Sequence, residues 1–151
     1  MIPLTARLGA IAFALWGLLH IAGGGAILAA LAESPASGFA VYLGAAQAYD
    51  PLAGQILAYL AFVLCASGIA VVGVAILLNW RNSALGLAIN TGIAGVLDLG
   101  LIVFLALPGF VTWPEASLGI GLLVAGAVLA GIGCRVPNGV SAASVTTAAR
   151  R

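Results

Sequence analysis

Two ionisable side chains lie inside apolar stretches of this chain and are the first candidates for chemistry. Asp98 stands near the middle of the apolar run at residues 85–107, and His20 stands in an earlier run. An ionisable group at membrane depth costs at least about 2.5–3.5 kcal/mol, so such residues usually have a function or a partner. A histidine oriented by a carboxylate could transfer protons, or could anchor a lipophilic ligand. His20 and Asp98 are therefore the candidate catalytic residues.

Other polar and aromatic side chains share helical faces with these two. Trp16 precedes His20 by four residues, and Asn90 and Thr91 precede Asp98 by about two turns. Residues four apart lie on the same side of a helix. For Trp16, packing is favoured over ligand stacking. The predicted ligand-binding residues are Trp16, His20, Tyr59, Asn90, Thr91 and Asp98.

The depths of His20 and Asp98 allow them to meet. His20 follows Arg7 by 13 residues, about 20 Å of helix, and Asp98 follows Arg81 by 17 residues, about 25 Å. This difference is about one helical turn, within what helix tilt and arginine snorkelling can absorb. Three alternatives follow: a structural His20–Asp98 pair, a functional site built on that pair, or two residues that never meet and face other subunits.

Composition restricts the class of protein. The chain has 151 residues, of which 64% are hydrophobic and 6% charged, whereas globular domains carry about 25% charged residues. The lipid bilayer is therefore the expected partner of most of the surface. A net charge of +1 gives no strong field to attract nucleic acid, and none is predicted as a partner. Zinc-ligand spacing, a P-loop and a Gly-x-Ser-x-Gly elbow are all absent, so no metal is predicted. The identity of any cofactor stays open.

Four apolar segments predict the fold. They cover about residues 8–31, 51–78, 84–107 and 114–134, and each exceeds the roughly 17 residues that a spanning helix needs. The first resembles a secretory signal in its flanks, but its apolar run is longer than the about 7–15 residues of a signal core. Because backbone polar groups in lipid must be satisfied internally, helices are expected. The predicted fold is an all-α membrane protein, a four-transmembrane-helix bundle formed by residues 1–135.

The connecting segments are also predicted. Pro114 and Glu115 mark the start of the fourth helix, because proline and an acid are favoured in a first turn. Residues 79–83 form a tight turn between antiparallel helices. Residues 39–49 predict a short interfacial helix with tyrosines at the wet boundary. Residues 136–151 lack apolar periodicity and predict a disordered cytoplasmic tail.

Charge predicts the orientation. With four spans, the basic residues fall on one side of the membrane and the acidic residues of the loops fall on the other. The first set is Arg7, Arg81, Arg135, Arg150 and Arg151, and the second is Glu33, Asp50 and Glu115. The positive-inside rule then predicts cytoplasmic termini, in a plasma membrane or a bacterial inner membrane.

The fourth segment favours association as the role of the protein. Small residues line it, and it carries no strongly polar side chain between Ser117 and Cys134. Small residues let membrane helices pack closely, within a bundle or between copies. The small residues concerned are Gly119, Gly126, Ala130 and Gly133.

Three functions are weighed on these grounds. The preferred one is an oligomerising or accessory subunit with no chemistry of its own, in a homo-oligomer or a larger membrane complex. The alternative is a membrane-embedded protein that binds or transforms a lipophilic small molecule through His20 and Asp98. An oligomeric transporter or channel is the third.

Overall fold

The structure is a computed structural model that describes residues 2–33 and 51–135. Four long helices form this part of the chain: α1 (Leu4–Glu33), α2 (Pro51–Leu77), α3 (Ala84–Leu101) and α4 (Trp113–Arg135). No strand occurs within these residues, so the predicted all-helical class is confirmed. The interfacial helix predicted at residues 39–49 and the tail predicted at residues 136–151 lie outside the described residues.

Each of the four helices is long and apolar enough to cross a membrane. The four apolar spans are Leu4–Glu33, Leu52–Arg81, Ala84–Ala106 and Trp113–Arg135. The first begins four residues before the predicted boundary, and the others agree closely with the predicted segments. These four helices indicate a membrane protein.

Each helix packs against its neighbours in the chain, and the last helix packs against the first. α1 packs against α2 and α4, and α3 packs against the same two helices. α1 and α3 therefore lie diagonally opposite each other. His20 and Asp98 are carried by these two helices, so only side chains that reach across the centre can connect them.

Small residues allow α1 and α4 to approach closely. A Cβ added at Gly9 of α1 would lie 2.5 Å from the backbone nitrogen of Ala130, and one at Gly126 would lie 3.1 Å from the ring of Phe13. The small residues that the sequence singled out on α4 are all buried, and they pack inside the bundle. They are Gly119, Gly126, Ala130 and Gly133.

One end of the bundle holds the tight turn between α2 and α3. Ser83 caps α3 by accepting a hydrogen bond from the backbone N–H of Gly86 at 3.3 Å. Asn82 Nδ2 donates to the carbonyl oxygen of Gly133 at 2.9 Å, which joins this turn to the end of α4. Arg7 lies 5.9 Å from the centre of the Trp80 ring. Three arginines therefore share this end, named here the arginine end: Arg7, Arg81 and Arg135.

Two glutamates lie at the opposite end of the bundle. Glu33 ends α1, and Glu115 lies in the first turn of α4. Glu115 Oε2 accepts hydrogen bonds from the backbone N–H of Thr112 at 2.9 Å and from its hydroxyl at 2.7 Å. This contact satisfies an N–H group that the helix leaves unpaired and confirms the predicted helix start.

One turn after Asp98, α3 widens into a π-helical turn. Residues Ile102–Ala106 form a π-helical turn, in which the Leu107 N–H donates to the Ile102 carbonyl oxygen at 2.9 Å. Single π-turns within α-helices are frequent at functional sites. This π-helical turn lies between Asp98 and the loop that leads to α4.

Candidate ligand-binding site

A hydrogen bond across the bundle centre connects α1 to α3. Trp16 Nε1 donates to Asp98, at 3.3 Å from Oδ1 and 3.2 Å from Oδ2. Trp16 is fully buried and Asp98 is 2% exposed. The expected direct pair of His20 with Asp98 is not what the structure forms: within the described residues, Trp16 is the hydrogen-bond partner of the Asp98 side chain. The long indole spans the diagonal distance between α1 and α3.

His20 is held by Trp16 as well. His20 Nδ1 donates to the Trp16 carbonyl oxygen at 2.9 Å, and the two rings stack with their centres 3.7 Å apart and their planes 23° apart. Because a carbonyl oxygen only accepts, Nδ1 carries the proton, which leaves Nε2 of the neutral ring as an acceptor. Nε2 has no hydrogen-bond partner in the part of the chain that the structure describes.

Gly119 of α4 completes this group. A Cβ added there would lie 3.6 Å from Asp98 Oδ1, 3.7 Å from His20 Cε1 and 3.9 Å from Trp16 Nε1. These are ordinary contact distances, so a methyl group fits at this position. Trp16, His20, Asp98 and Gly119 are named here the polar cluster.

A cavity of about 360 Å³ opens beside the polar cluster. His20 and Gly119 belong both to the cluster and to the cavity wall, and Glu115 lines the cavity where it meets the surface. The remaining walls are aliphatic side chains and glycine, including Leu64 of α2 and Leu101 of α3. Ligand pockets have volumes of about 300–1,000 Å³ and are mostly apolar with a few placed polar groups. The cavity has these properties.

The Asp98 carboxylate of the polar cluster has no basic partner among the described residues. Among the described residues, no arginine forms an ion pair with Asp98, because the three described arginines lie at the arginine end. Asp98 and Glu115 lie on the other side of the bundle centre. Three His, Cys, Asp or Glu side chains do not come together as a metal-binding group anywhere in residues 2–33 and 51–135.

The other predicted site residues lie elsewhere. Asn90 is fully buried two turns before Asp98, and its Nδ2 donates to the Val71 carbonyl oxygen at 3.2 Å, which ties α3 to α2. The Thr91 hydroxyl is buried without a hydrogen-bond partner among the described residues. Tyr59 is 70% exposed on the outer surface of α2. None of these three side chains lines the cavity beside His20.

Sequence reasoning missed two parts of the site. The sequence indicates Gly119 as a packing residue and Glu115 as a marker of helix start and orientation, whereas both line the cavity. The Trp16–Asp98 bond had a usable signal, because a buried indole N–H only donates and needs an acceptor. The apolar walls carried no signal that distinguishes them from any other part of a membrane helix.

The arrangement suits binding. An acceptor nitrogen at the wall of an apolar cavity can hold the polar end of a ligand, while the aliphatic walls cover its apolar body. Trp16 and Asp98 keep the His20 ring in one position. No protein-family model, no curated protein and no solved structure matches the chain.

Proposed function

We propose that this protein binds an amphiphilic small molecule in the cavity beside His20. The observation that carries the proposal is the His20 ring, which lines a largely apolar cavity of about 360 Å³ and whose Nε2 has no hydrogen-bond partner among the described residues. Nε2 accepts a hydrogen bond from the ligand, and Asp98 acts indirectly by holding Trp16, on which His20 stacks.

The bilayer determines which contacts give selectivity. Lipid tails are as apolar as leucine side chains, so moving an alkyl chain from lipid into the cavity gains little hydrophobic free energy. A polar group is costly in lipid unless it has a hydrogen-bond partner. The contact at His20 therefore distinguishes a ligand from the surrounding lipid.

Quenching of Trp16 fluorescence tests the binding function. In a Trp80→Phe, Trp113→Phe variant, Trp16 is the remaining tryptophan, and it stacks on the cavity residue His20. Bromo-octanol, whose bromine quenches tryptophan at close range, is titrated into the protein in nanodiscs. We expect saturable quenching above the linear background given by partitioning into the lipid.

Cavity-filling variants serve as the controls. Gly119→Ile and Leu64→Phe fill the cavity from two different helices and should abolish the saturable part of the quenching. Gly121→Ile lies on α4 too, but a Cβ there meets nothing within 4 Å, so this variant should quench like the parent. Quenching that never saturates, or that is equal in all variants, contradicts the proposal.

We also propose an orientation. The three described arginines share the arginine end, and the positive-inside rule assigns such an end to the cytoplasm. Both termini are then cytoplasmic, in a plasma membrane or a bacterial inner membrane. The cavity lies in the opposite, outer half of the bilayer.

An oligomerising or accessory role is the second candidate. Three glycines of α3 support it, because a Cβ added at Gly92, Gly95 or Gly100 meets nothing within 4 Å. Outward glycines let another membrane helix approach closely. A second copy or another membrane protein would pack on this surface of α3, and the mass of the purified particle measures such association.

A further inference from the structure

We infer that the amphiphile is a cation, a lipophilic ammonium whose N–H donates to His20 Nε2. This inference rests on the binding function proposed for the cavity and names the class of ligand. Three observations favour a cation over a neutral alcohol or an anion: the unpaired Asp98 carboxylate, the position of Glu115, and the lack of side-chain donors in the cavity wall.

Asp98 is the first observation. It is 2% exposed, and the hydrogen bonds it receives come from Trp16 Nε1, a neutral donor. Within the described residues no cation pairs with it. A buried carboxylate is costly without an opposite charge. A Cβ added at the cavity-lining Gly119 would lie 3.6 Å from Oδ1, so the carboxylate stands behind the cavity wall, and an ammonium in the cavity would supply the missing charge.

Glu115 is the second observation. Its Oε2 is held by Thr112, and its Oε1 has no hydrogen-bond partner among the described residues. The exposed carboxylate lines the cavity, and Glu33 lies at the same end of the bundle. The described arginines lie at the other end, so the charged side chains nearest the cavity are acidic. Acidic side chains attract cations and repel anions.

The cavity wall is the third observation. Among the described residues that line it, His20 is the one side chain with a hydrogen-bond donor, and its Nδ1–H is already given to the Trp16 carbonyl oxygen. A carboxylate ligand only accepts and would find no side-chain donor there. An alcohol could donate to Nε2 but would leave Asp98 without a counter-charge. An ammonium supplies both the donor and the charge.

Competition between three ligands of equal chain length tests the inference. Each of the three ligands is used to displace bromo-octanol from the variant that retains only Trp16, in nanodiscs whose lipids carry no net charge. The ligands are octylammonium, octanol and octanoate. Empty nanodiscs correct for partitioning of each ligand into the lipid. We expect octylammonium to compete at least about tenfold more strongly than octanol, and octanoate to compete least.

Two charge-removing variants identify the carboxylates responsible. In Asp98→Asn the amide oxygen can still accept from Trp16, and in Glu115→Gln the amide oxygen can still accept from Thr112. Each variant should weaken competition by octylammonium more than it weakens competition by octanol, so that the ratio of the two falls. The effect should be larger for Asp98, because the exposed charge of Glu115 is screened by salt.

The outcomes separate the two proposals. If bromo-octanol binds saturably but octylammonium and octanol compete equally, or octanoate competes best, the inference about the cation is wrong and the binding function stands. The inference is also wrong if neither Asp98→Asn nor Glu115→Gln changes the competition by octylammonium. If bromo-octanol never binds saturably, the binding function itself fails.

Discussion

Trp16 makes three contacts that organise the polar residues of the bundle centre. Its indole N–H donates to Asp98, its carbonyl oxygen accepts from His20, and its ring stacks on the imidazole. His20 and Asp98 are thus connected through Trp16 and not by a direct hydrogen bond. Loss of the indole would affect both of them.

A double-mutant cycle tests this connection. Trp16→Phe keeps an aromatic ring but removes the donor, so the buried Asp98 loses its described partner. A buried polar group left without a partner costs about 1–3 kcal/mol, and more when it is charged. Trp16→Phe and Asp98→Ala should each lower the free energy of unfolding in detergent, and the double variant should cost less than the two added together.

The same cycle distinguishes the two pairings. Coupling between His20→Ala and Asp98→Ala should be smaller than coupling between Trp16→Phe and Asp98→Ala, because His20 makes no direct hydrogen bond to Asp98. Trp80→Phe is the matched control, since Trp80 is 43% exposed and lies at the arginine end. Strictly additive effects of Trp16→Phe and Asp98→Ala would show that the indole does not hold the carboxylate.

At the scale of the helices, glycine has two distinct roles. Gly126 of α4 faces the ring of Phe13 at 3.1 Å, inside the bundle, whereas Gly92 of α3 has open space where its side chain would be. Both kinds of glycine look alike in the sequence. The first is required for packing of the bundle, and the second is available to a partner helix.

Leucine substitutions should separate these roles. Gly126→Leu places a bulky side chain against Phe13, and overpacking of this kind costs about 1–3 kcal/mol or more. We expect a lower yield of folded protein and a lower unfolding temperature. Gly92→Leu should leave the unfolding temperature of the single chain unchanged and reduce the mass of any oligomer measured by light scattering.

A neighbouring residue on α3 gives the control for the oligomer measurement. Val96 is 70% exposed and already bulky, so Val96→Leu should change neither the unfolding temperature nor the mass. If Gly92→Leu also leaves the mass unchanged, the surface of α3 around that glycine faces lipid, and the subunit role loses its structural support.

At the scale of the whole molecule, the described arginines and the cavity lie in different halves of the bundle. The described arginines lie at one end, and the cavity with Glu115 lies towards the other. The proposed orientation puts the cavity in the outer half of the bilayer. A ligand would then reach the cavity from the outer leaflet or the outer aqueous phase.

Labelling of single cysteines tests the orientation. Cys65 and Cys134 are the two cysteines of the chain, and both are first replaced by alanine. A membrane-impermeant maleimide added to intact cells should then modify Phe110→Cys, which lies between α3 and α4. It should not modify Ala84→Cys at the arginine end until the membrane is opened. The opposite labelling pattern would reverse the orientation and place the cavity on the cytoplasmic side.

The sequence alone determined the number and type of the elements. Runs of about 20 apolar residues in a chain with so little charge leave spanning helices as the expected structure, because lipid does not hydrogen-bond the backbone. It also identified His20 and Asp98, since ionisable groups stand out against apolar surroundings. The sequence also predicted that the arginines share one end, because four spans put all of them on the same side of the membrane.

Only the tertiary structure decided how the site is assembled. A membrane helix is apolar on all sides, so its hydropathy does not show which face is turned inward. The rotation of each helix follows instead from close fits such as Gly9 on Ala130 and Gly126 on Phe13. In the bundle that results, α1 and α3 lie on a diagonal and Tyr59 faces outward. Trp16 is the partner of Asp98, and the cavity lies where the four helices meet.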